Sequence, residues 1–146
     1  LAVELFNQTW DLLDKPDRTP EQNDTMIHAA HASRYHWGQV GTAIELARGE
    51  WQISRVYAVL NRPKAALYHA RRCLDLCQAN EIRDLDLAFA YEALARAYAV
   101  AGDGEKSGEY IELAMKAGDE IADRENREYL EGELMTISAC ADSCTL

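Results

Sequence analysis

Hydrophobic residues recur at helical spacing along most of the chain and are separated by short polar segments. In one segment Leu46, Ile53 and Leu60 fall on a single helix face, and further along Leu87 and Leu94 repeat this arrangement. Apolar residues spaced three, four or seven positions apart lie on one side of an α-helix, whereas strands alternate with a period of two. The pattern therefore predicts an all-α chain built from amphipathic helices.

Capping and turn residues mark where these helices begin and end. Thr19, Pro20 and Gln22 form a capping box with proline at the first helical position, which is a strong helix start. Asn61 can end a helix in the left-handed conformation, and Asp103 can cap the helix that follows it. Because the connections are short, neighbouring helices must run antiparallel. The seven predicted helices cover about residues 2–14, 20–37, 42–61, 63–80, 85–101, 104–122 and 123–138.

The composition agrees with one helical domain. Hydrophobic residues make up 48% and charged residues 27% of the 146 residues, and alanine, the best helix former, outnumbers valine and isoleucine together. The length suits a single domain over residues 1–138, with residues 139–146 predicted to form a frayed tail. No apolar run reaches the length of a membrane span, and the start carries no secretory signal, so we expect a cytoplasmic protein without a membrane partner.

The net charge of −10 is unevenly distributed along the chain. Residues 28–74 carry a net charge of +5, whereas residues 75–146 carry −11. An acidic chain argues against a nucleic-acid partner, since the phosphates of nucleic acids are bound by Lys and Arg. The basic middle segment is predicted either to pack beside the acidic C-terminal part of the same chain or to bind an acidic partner or a small anion.

Four cysteines occur as two pairs with a spacing of four residues. Cys73 and Cys77 form one pair, and Cys140 and Cys144 form the other. This spacing places both thiols on one helix face and differs from the Cys-x-x-Cys pattern of redox and zinc sites. We therefore expect reduced thiols, with Cys73 filling the core and the second pair lying in the frayed tail.

An internal repeat appears at an offset of 41 residues. The segment RVYAV at 55–59 aligns with RAYAV at 96–100, with four identities in five positions. Large, small, aromatic and turn positions continue to match on both sides of this segment. A helix pair needs that order, because bulky residues fill the groove between helices and small residues let the next helix approach closely.

The two copies resemble the tetratricopeptide repeat family over residues 47–119. The pattern reads Ile53, Ser54, Tyr57, Asn61, Ala66, Ala70 and Cys73 in the first copy, and Tyr91, Leu94, Ala95, Tyr98, Gly102, Ser107, Ile111 and Ala114 in the second. The chain departs from the family in its longer period, in Ala70 and Ile111 replacing the aromatic of the second helix, and in lacking a closing proline. The resemblance implies a right-handed stack of about seven antiparallel helices, with the seventh covering the last face.

The resemblance also implies that the first helix of each repeat lines a concave groove that binds peptides. The corresponding positions are Arg48, Trp51, Arg55, Phe89, Glu92 and Arg96. Two guanidinium groups flanking an indole can hold a carboxylate and stack an apolar group. Alternatively, the second helix covers Trp51, and the arginines pair with Glu45, Glu50 or Glu92 of the same chain.

Three histidines and an aspartate on the second helix form the other candidate site. Asp24, His28 and His31 share one helix face and could offer a carboxylate and two imidazoles to a metal ion. His36 would join them only if the helix ended or bent nearby. The alternatives are hydrogen bonds between packed helices, or a pocket of His, Arg and Trp side chains that binds a small anion.

The leading hypothesis from the sequence is a non-catalytic module that binds a peptide or an acidic partner segment in a basic, Trp-containing groove, without a cofactor. On this hypothesis Arg55→Glu abolishes binding and leaves the fold intact. A metal-dependent or small-anion-binding protein is the second hypothesis. The sequence lacks a glycine-rich phosphate loop and a nucleophile elbow, which argues against an enzyme. A homodimer formed through Phe6, Trp10 and Leu13 of the first helix is a third hypothesis.

Overall fold

The computed structural model describes the backbone of residues 1–144 and the side chains of residues 1–137, and this part of the chain is all-helical. The helices are α1 (Ala2–Leu13), α2 (Pro20–Val40), α3 (Ala43–Val59), α4 (Pro63–Ala79), α5 (Leu85–Val100), α6 (Gly104–Gly118) and α7 (Arg124–Cys144). The all-α prediction is confirmed, and so is the number of helices in the described residues. None of these helices combines the length and the apolar character that crossing a membrane requires.

The helix ends are set by the residues that the sequence indicated. The Thr19 hydroxyl accepts a hydrogen bond from the Gln22 amide at 3.2 Å, and the Gln22 side chain accepts one from the Thr19 amide at 2.9 Å. Asn61 has a φ of 59°, in the left-handed region that stops α3. Helix α2 is longer than predicted: it continues through Gly38 and ends at Val40, and the amide of the C-cap residue Gly41 donates to the Trp37 carbonyl.

The odd-numbered helices form one layer, and the even-numbered helices form a second layer against it. Helices α1, α3, α5 and α7 contact one another in that order, and each even-numbered helix packs against the odd-numbered helices before and after it. We call the first layer the odd-helix layer. Buried alanines such as Ala88, Ala90 and Ala95 lie on α5, between α3 and α7 in this layer, where a small side chain allows close approach. Adjacent helices are therefore packed as an antiparallel stack.

Two buried serines show that the repeat is in structural register. The Ser54 hydroxyl on α3 donates to the Ala66 carbonyl on α4 at 2.8 Å. In the next helix pair the Ser107 hydroxyl on α6 donates to the Ala95 carbonyl on α5, also at 2.8 Å. Ser54 corresponds to Ala95 and Ala66 to Ser107 at the 41-residue offset. The same two positions thus share a hydrogen bond in both repeats, with donor and acceptor exchanged.

Cys73 lies in the core, as predicted. Cys73 and Cys77 are both buried on α4, beside Leu74, Ala90 and Leu94. The hydrogen bond that Cys73 shares with Cys77, together with its burial, raises the pKa of the Cys73 thiol. The side chains of the tail predicted to fray, residues 139–146, lie outside the described residues, as do the thiols of the second cysteine pair.

The apolar face of α1 contacts the same chain. The Phe6 carbonyl accepts a hydrogen bond from the Gln52 side chain at 2.9 Å, and Leu13 packs against a buried cluster that includes Met26. Trp10 lies against Trp51, with ring centroids 5.4 Å apart. Two of the three side chains named for a dimer contact, Trp10 and Leu13, therefore pack within the chain, and the dimer stays a prediction.

Candidate functional site

Four aromatic rings, one from each odd-numbered helix, cross the odd-helix layer in a continuous row. Ring centroids are separated by 5.4 Å between Trp10 and Trp51, 5.7 Å between Trp51 and Phe89, and 5.5 Å between Phe89 and Tyr129. These are the distances at which aromatic pairs interact favourably. We call these four residues the aromatic row. Tyr129 is the most accessible member, with 51% of its surface exposed.

The aromatic row lines an open pocket of about 160 Å³. The remaining walls come from α3, α4 and the start of α5, namely Ala47, Arg48, Cys73, Leu85 and Asp86. An apolar cavity of roughly 150 Å³ is large enough to hold a benzene molecule. The pocket is thus a mostly apolar recess of the size of one bulky side chain.

The two charged residues at the pocket neutralise each other. Arg48 Nε donates to Asp86 Oδ1 at 2.8 Å, and Arg48 Nη2 donates to Asp86 Oδ2 at 3.0 Å. This bidentate geometry joins α3 to α5 and satisfies both carboxylate oxygens. The Arg48 side chain remains 55% exposed, so it lies at the rim of the pocket and not inside the core.

Beside the pocket, the fully buried carboxylate of Glu92 is surrounded by three N–H groups. Glu92 on α5 accepts a hydrogen bond from the Trp51 indole N–H at 2.9 Å and another from Arg96 Nε at 2.9 Å. Arg55 Nη2 lies 3.5 Å from the same carboxylate, whose side chain is 0% exposed. A buried charge is tolerated only when paired and hydrogen-bonded, and Glu92 meets this requirement.

Helix α7 completes this charged cluster. Arg55 Nη2 donates to Glu133 Oε2 at 2.8 Å, and Arg96 Nη2 donates to the Glu133 carbonyl at 3.1 Å and to the Thr136 hydroxyl at 2.9 Å. Arg55 also lies over the Trp51 ring, 5.3 Å from its centroid. Two guanidinium groups and two carboxylates therefore balance one another in the middle of the odd-helix layer.

The groove arginines make ion pairs within the chain, and whether the groove also binds a peptide stays a prediction. Arg55 and Arg96 both pair with Glu92, which was one of the partners expected for the arginines. Arg55 also pairs with Glu133, which was not among the expected partners. Trp10 of α1 and Phe89 of α5 lie against the Trp51 ring, which was expected to be covered by the second helix. Glu45 caps α3 at Thr42. The basic middle segment packs against the acidic C-terminal part at these contacts.

The histidines make contacts between helices. His31 Nε2 on α2 lies 2.9 Å from the Tyr57 hydroxyl on α3, and His69 Nδ1 on α4 lies 2.6 Å from Glu50 Oε2. Arg34 Nε donates to the other oxygen of Glu50 at 3.2 Å. We call these five residues the histidine network.

The predicted metal-ligand set is not brought together. Asp24 and His28 are exposed on α2, while His36 lies edge-on to its neighbour Tyr35. Among residues whose side chains are described, no three His, Cys, Asp or Glu side chains converge in a way that could hold a metal ion. His31 instead points to His69, which the sequence analysis did not include, with ring centroids 5.4 Å apart.

Burial and charge shift the titration of two groups in the histidine network. Desolvation is the main cause that lowers the pKa of His31, and the nearby His69 lowers it further; Glu50 opposes this shift, and His28 adds the smallest lowering effect. Burial opposes ionisation of Glu50, but the hydrogen bond and charge of His69 and the charge of Arg34 outweigh it and lower the Glu50 pKa. The network therefore favours neutral His31 beside ionised Glu50.

The sequence analysis did not assign Trp10, Asp86, Tyr129 or Glu133 to the site. The 41-residue period itself contained a signal for two of them, since Trp10 precedes Trp51 and Glu133 follows Glu92 by this same offset. Asp86 and Tyr129 have no such signal, because their roles depend on how α5 and α7 are placed. Comparison with protein-family models, with curated protein sequences and with solved structures gives no match for the chain.

Proposed function

We propose that this chain is a non-catalytic interaction module of tetratricopeptide-like architecture, which binds a peptide segment of a partner protein across its odd-helix layer. The observation that carries the proposal is the open, mostly apolar pocket beside the aromatic row. Aromatic side chains that line a surface recess are the usual anchoring points of protein interfaces. Ligand sites are typically concave, with apolar walls and few polar groups.

The polar groups around the pocket support a binding role over a catalytic one. Arg48 and Asp86 bond to each other, and the Trp51 N–H bonds to Glu92. These contacts fix the shape of the pocket and leave its charged groups balanced. A preorganised surface loses little conformational entropy on binding, which favours affinity. No contact of the histidine network favours the metal hypothesis as a second function.

Peptide selection followed by mapping on the protein tests this proposal. The full chain is used to select binders from a library of random peptides, and a selected peptide is titrated into isotope-labelled protein. We expect the largest amide shift changes next to Arg48, Asp86 and Tyr129, on the odd-helix layer. Changes confined to the even-numbered helices, around Tyr35 on α2 and Tyr68 on α4, would refute the assignment, as would failure to select any peptide.

A further inference from the structure

We propose that an exposed side of α7 binds a helix of a partner protein, and that this helix carries small residues at the spacing found on α4 and α6. The residues concerned are Tyr129, Gly132 and Thr136, which we call the uncovered face of α7. They lie at helical spacing on one side of the helix. This second binding surface goes beyond the proposed function, and of its residues only Tyr129 also borders the pocket beside the aromatic row.

On α5 the equivalent positions are covered by the following helix, α6. At the 41-residue offset the uncovered face corresponds to Ala88, Tyr91 and Ala95. Ala88 and Ala95 are fully buried and share a hydrophobic cluster with Ala114 of α6. The Tyr91 ring stacks with that of Tyr110, also on α6, at a centroid distance of 6.4 Å. An even-numbered helix therefore lies over this face of α5.

On α3 the same positions are covered by α4. They are occupied by Ala47, Glu50 and Ser54, which are at most 6% exposed. Glu50 Oε2 lies 2.6 Å from His69 Nδ1 of α4, and the Ser54 hydroxyl donates to the Ala66 carbonyl of α4. The interface between an odd-numbered helix and the even-numbered helix that follows it is thus built twice in the same register.

On α7 this face is open to solvent. Tyr129 is 51% exposed, and Gly132 and Thr136 are exposed as well. In the part of the chain that the structure describes, α7 is the last helix, and a Cβ atom added at Gly132 would meet no atom of another helix within 4 Å. Glycine lowers helix stability but lets another backbone come close. No contact among the described residues requires glycine here, so Gly132 indicates the close approach of a further helix.

The chemistry of the occupant follows from the helices that already hold the equivalent place. Their contacting positions lie four and then three residues apart on one helix face. They are Ala66, Ala70 and Cys73 on α4, and Ser107, Ile111 and Ala114 on α6. All except Ile111 are small and at most 3% exposed. A partner helix with Ala, Ser or Cys at this spacing continues the same interface onto α7, and because one helix packed on another buries little surface, we expect reversible binding.

A peptide copied from α4 is the probe for this site. It spans residues 62–80, with Cys73→Ala and Cys77→Ala to prevent oxidation, and is titrated into the isotope-labelled full chain. We expect saturable amide shift changes centred on Gly132 and Thr136, because the peptide has the small-residue face that covers the equivalent positions of α3.

Two pairs of matched variants test the contact from both sides. Gly132→Leu in the protein favours the helix but adds bulk, so it should weaken binding about fivefold or more. Gly108→Leu on α6, where an added Cβ is equally free of contacts, should bind as the native chain does. Ala70→Leu in the peptide places a bulky side chain on its contacting face and should weaken binding by a similar factor. Tyr68→Leu in the peptide should not, since this position of α4 is 62% exposed.

The remaining outcomes overturn the inference. Absence of saturable binding, or shift changes confined to α3 and α5, would refute the site. Binding that Ala70→Leu leaves unchanged would refute the register, and this comparison uses the native chain, so it decides even if Gly132→Leu fails to fold. Shifts of the uncovered face on dilution without peptide would identify a second copy of the chain as the occupant instead. Because no peptide selected for the pocket is used, failure here leaves the proposed function standing.

Discussion

Trp51 donates its indole N–H to the carboxylate of Glu92, the residue that occupies the same position one repeat later. Arg55 and Arg96 are related by the same offset, and both contact Glu92 and Glu133. The repeat is therefore more than a similarity of sequence. Equivalent positions on successive odd-numbered helices bind one another, and these contacts hold the layer that carries the pocket.

Removing the charge of Glu92 should destabilise the protein strongly. Glu92→Gln keeps the size of the side chain and an acceptor for Trp51, but leaves the buried guanidinium groups of Arg55 and Arg96 with one carboxylate fewer. Breaking a buried ion pair on one side costs several kcal/mol, so we expect the free energy of unfolding to fall by about 3 kcal/mol. Urea denaturation followed by circular dichroism measures this loss.

The matched control for this variant is Glu128→Gln on α7. Glu128 also pairs with an arginine, Arg124, but both side chains are well exposed. Exposed pairs on a helix contribute about 0.3–0.5 kcal/mol, so this change should alter stability by no more than about 0.5 kcal/mol. Equal effects of the two variants would show that the buried cluster is not stabilised as the contacts indicate.

Arg55→Glu is expected to unfold the protein or destabilise it severely, contrary to the expectation from the sequence alone. The new carboxylate would lie between Glu92 and Glu133, in a cluster with only Arg96 left to balance it. We expect a loss of about 4 kcal/mol or more in the free energy of unfolding. Arg62→Glu at the exposed start of α4 reverses the same charge and should remain as stable as the native chain. A stable, helical Arg55→Glu protein would contradict this reading.

The hydrogen bond between α3 and α4 should tolerate an exchange of donor and acceptor. Ser54→Ala removes the donor to the buried Ala66 carbonyl and should cost about 1 kcal/mol. Adding Ala66→Ser to this variant reproduces the arrangement of the next repeat, where Ser107 donates to Ala95. We expect the double variant to recover most of the lost stability in thermal unfolding. A double variant less stable than Ser54→Ala would mean that the two repeats are not interchangeable here.

Stability should fall as the pH decreases below about 6.5 because of His31. Its pKa is lowered in the folded protein relative to the ordinary value of 6.5, so the unfolded chain binds more protons between the two values. His69, His28, Glu50 and Tyr57 are the groups that face it. We expect the free energy of unfolding to be highest above about pH 6.5 and to be lost as the pH falls through the folded pKa. The lowered pKa of Glu50 contributes to stability separately, and this contribution is lost as the pH falls below the ordinary Glu pKa of 4.5 and through the lower pKa of the folded protein.

Two histidine variants identify the origin of this pH dependence. His31→Gln should flatten the fall in unfolding free energy below about pH 6.5, because the group with the lowered pKa is gone. His28→Gln, on the exposed side of α2, should retain it. A slope that persists in His31→Gln would assign the effect to another member of the histidine network.

Most helix boundaries could be predicted because they depend on local chemistry. The capping box at Thr19, the left-handed Asn61 and the cap at Asp103 act within a few residues of each helix end. The C-terminal end of α2 was placed too early, since glycine costs helix stability but does not end a helix by itself. In the structure α2 continues past Gly38 to Val40, and Gly41 follows as its C-cap.

The candidate site could be predicted only in part. The helical spacing placed Arg48, Trp51 and Arg55 on one face, but the partners of these residues lie on other helices. Arg48 and Asp86 are 38 residues apart, and Arg55 and Glu133 are 78 apart. Which carboxylate meets which arginine depends on the position of each helix in the stack, and this information is not local.

The contact between Arg55 and Glu133 joins helices α3 and α7 across α5. In a simple repeat array each unit contacts only its neighbours, so such a chain can lose units one at a time from its ends. Here the seventh helix cannot leave without exposing a buried charge on the third. Unfolding should therefore be cooperative: the helices are expected to unfold in one transition, without a populated intermediate that has lost only its end helices.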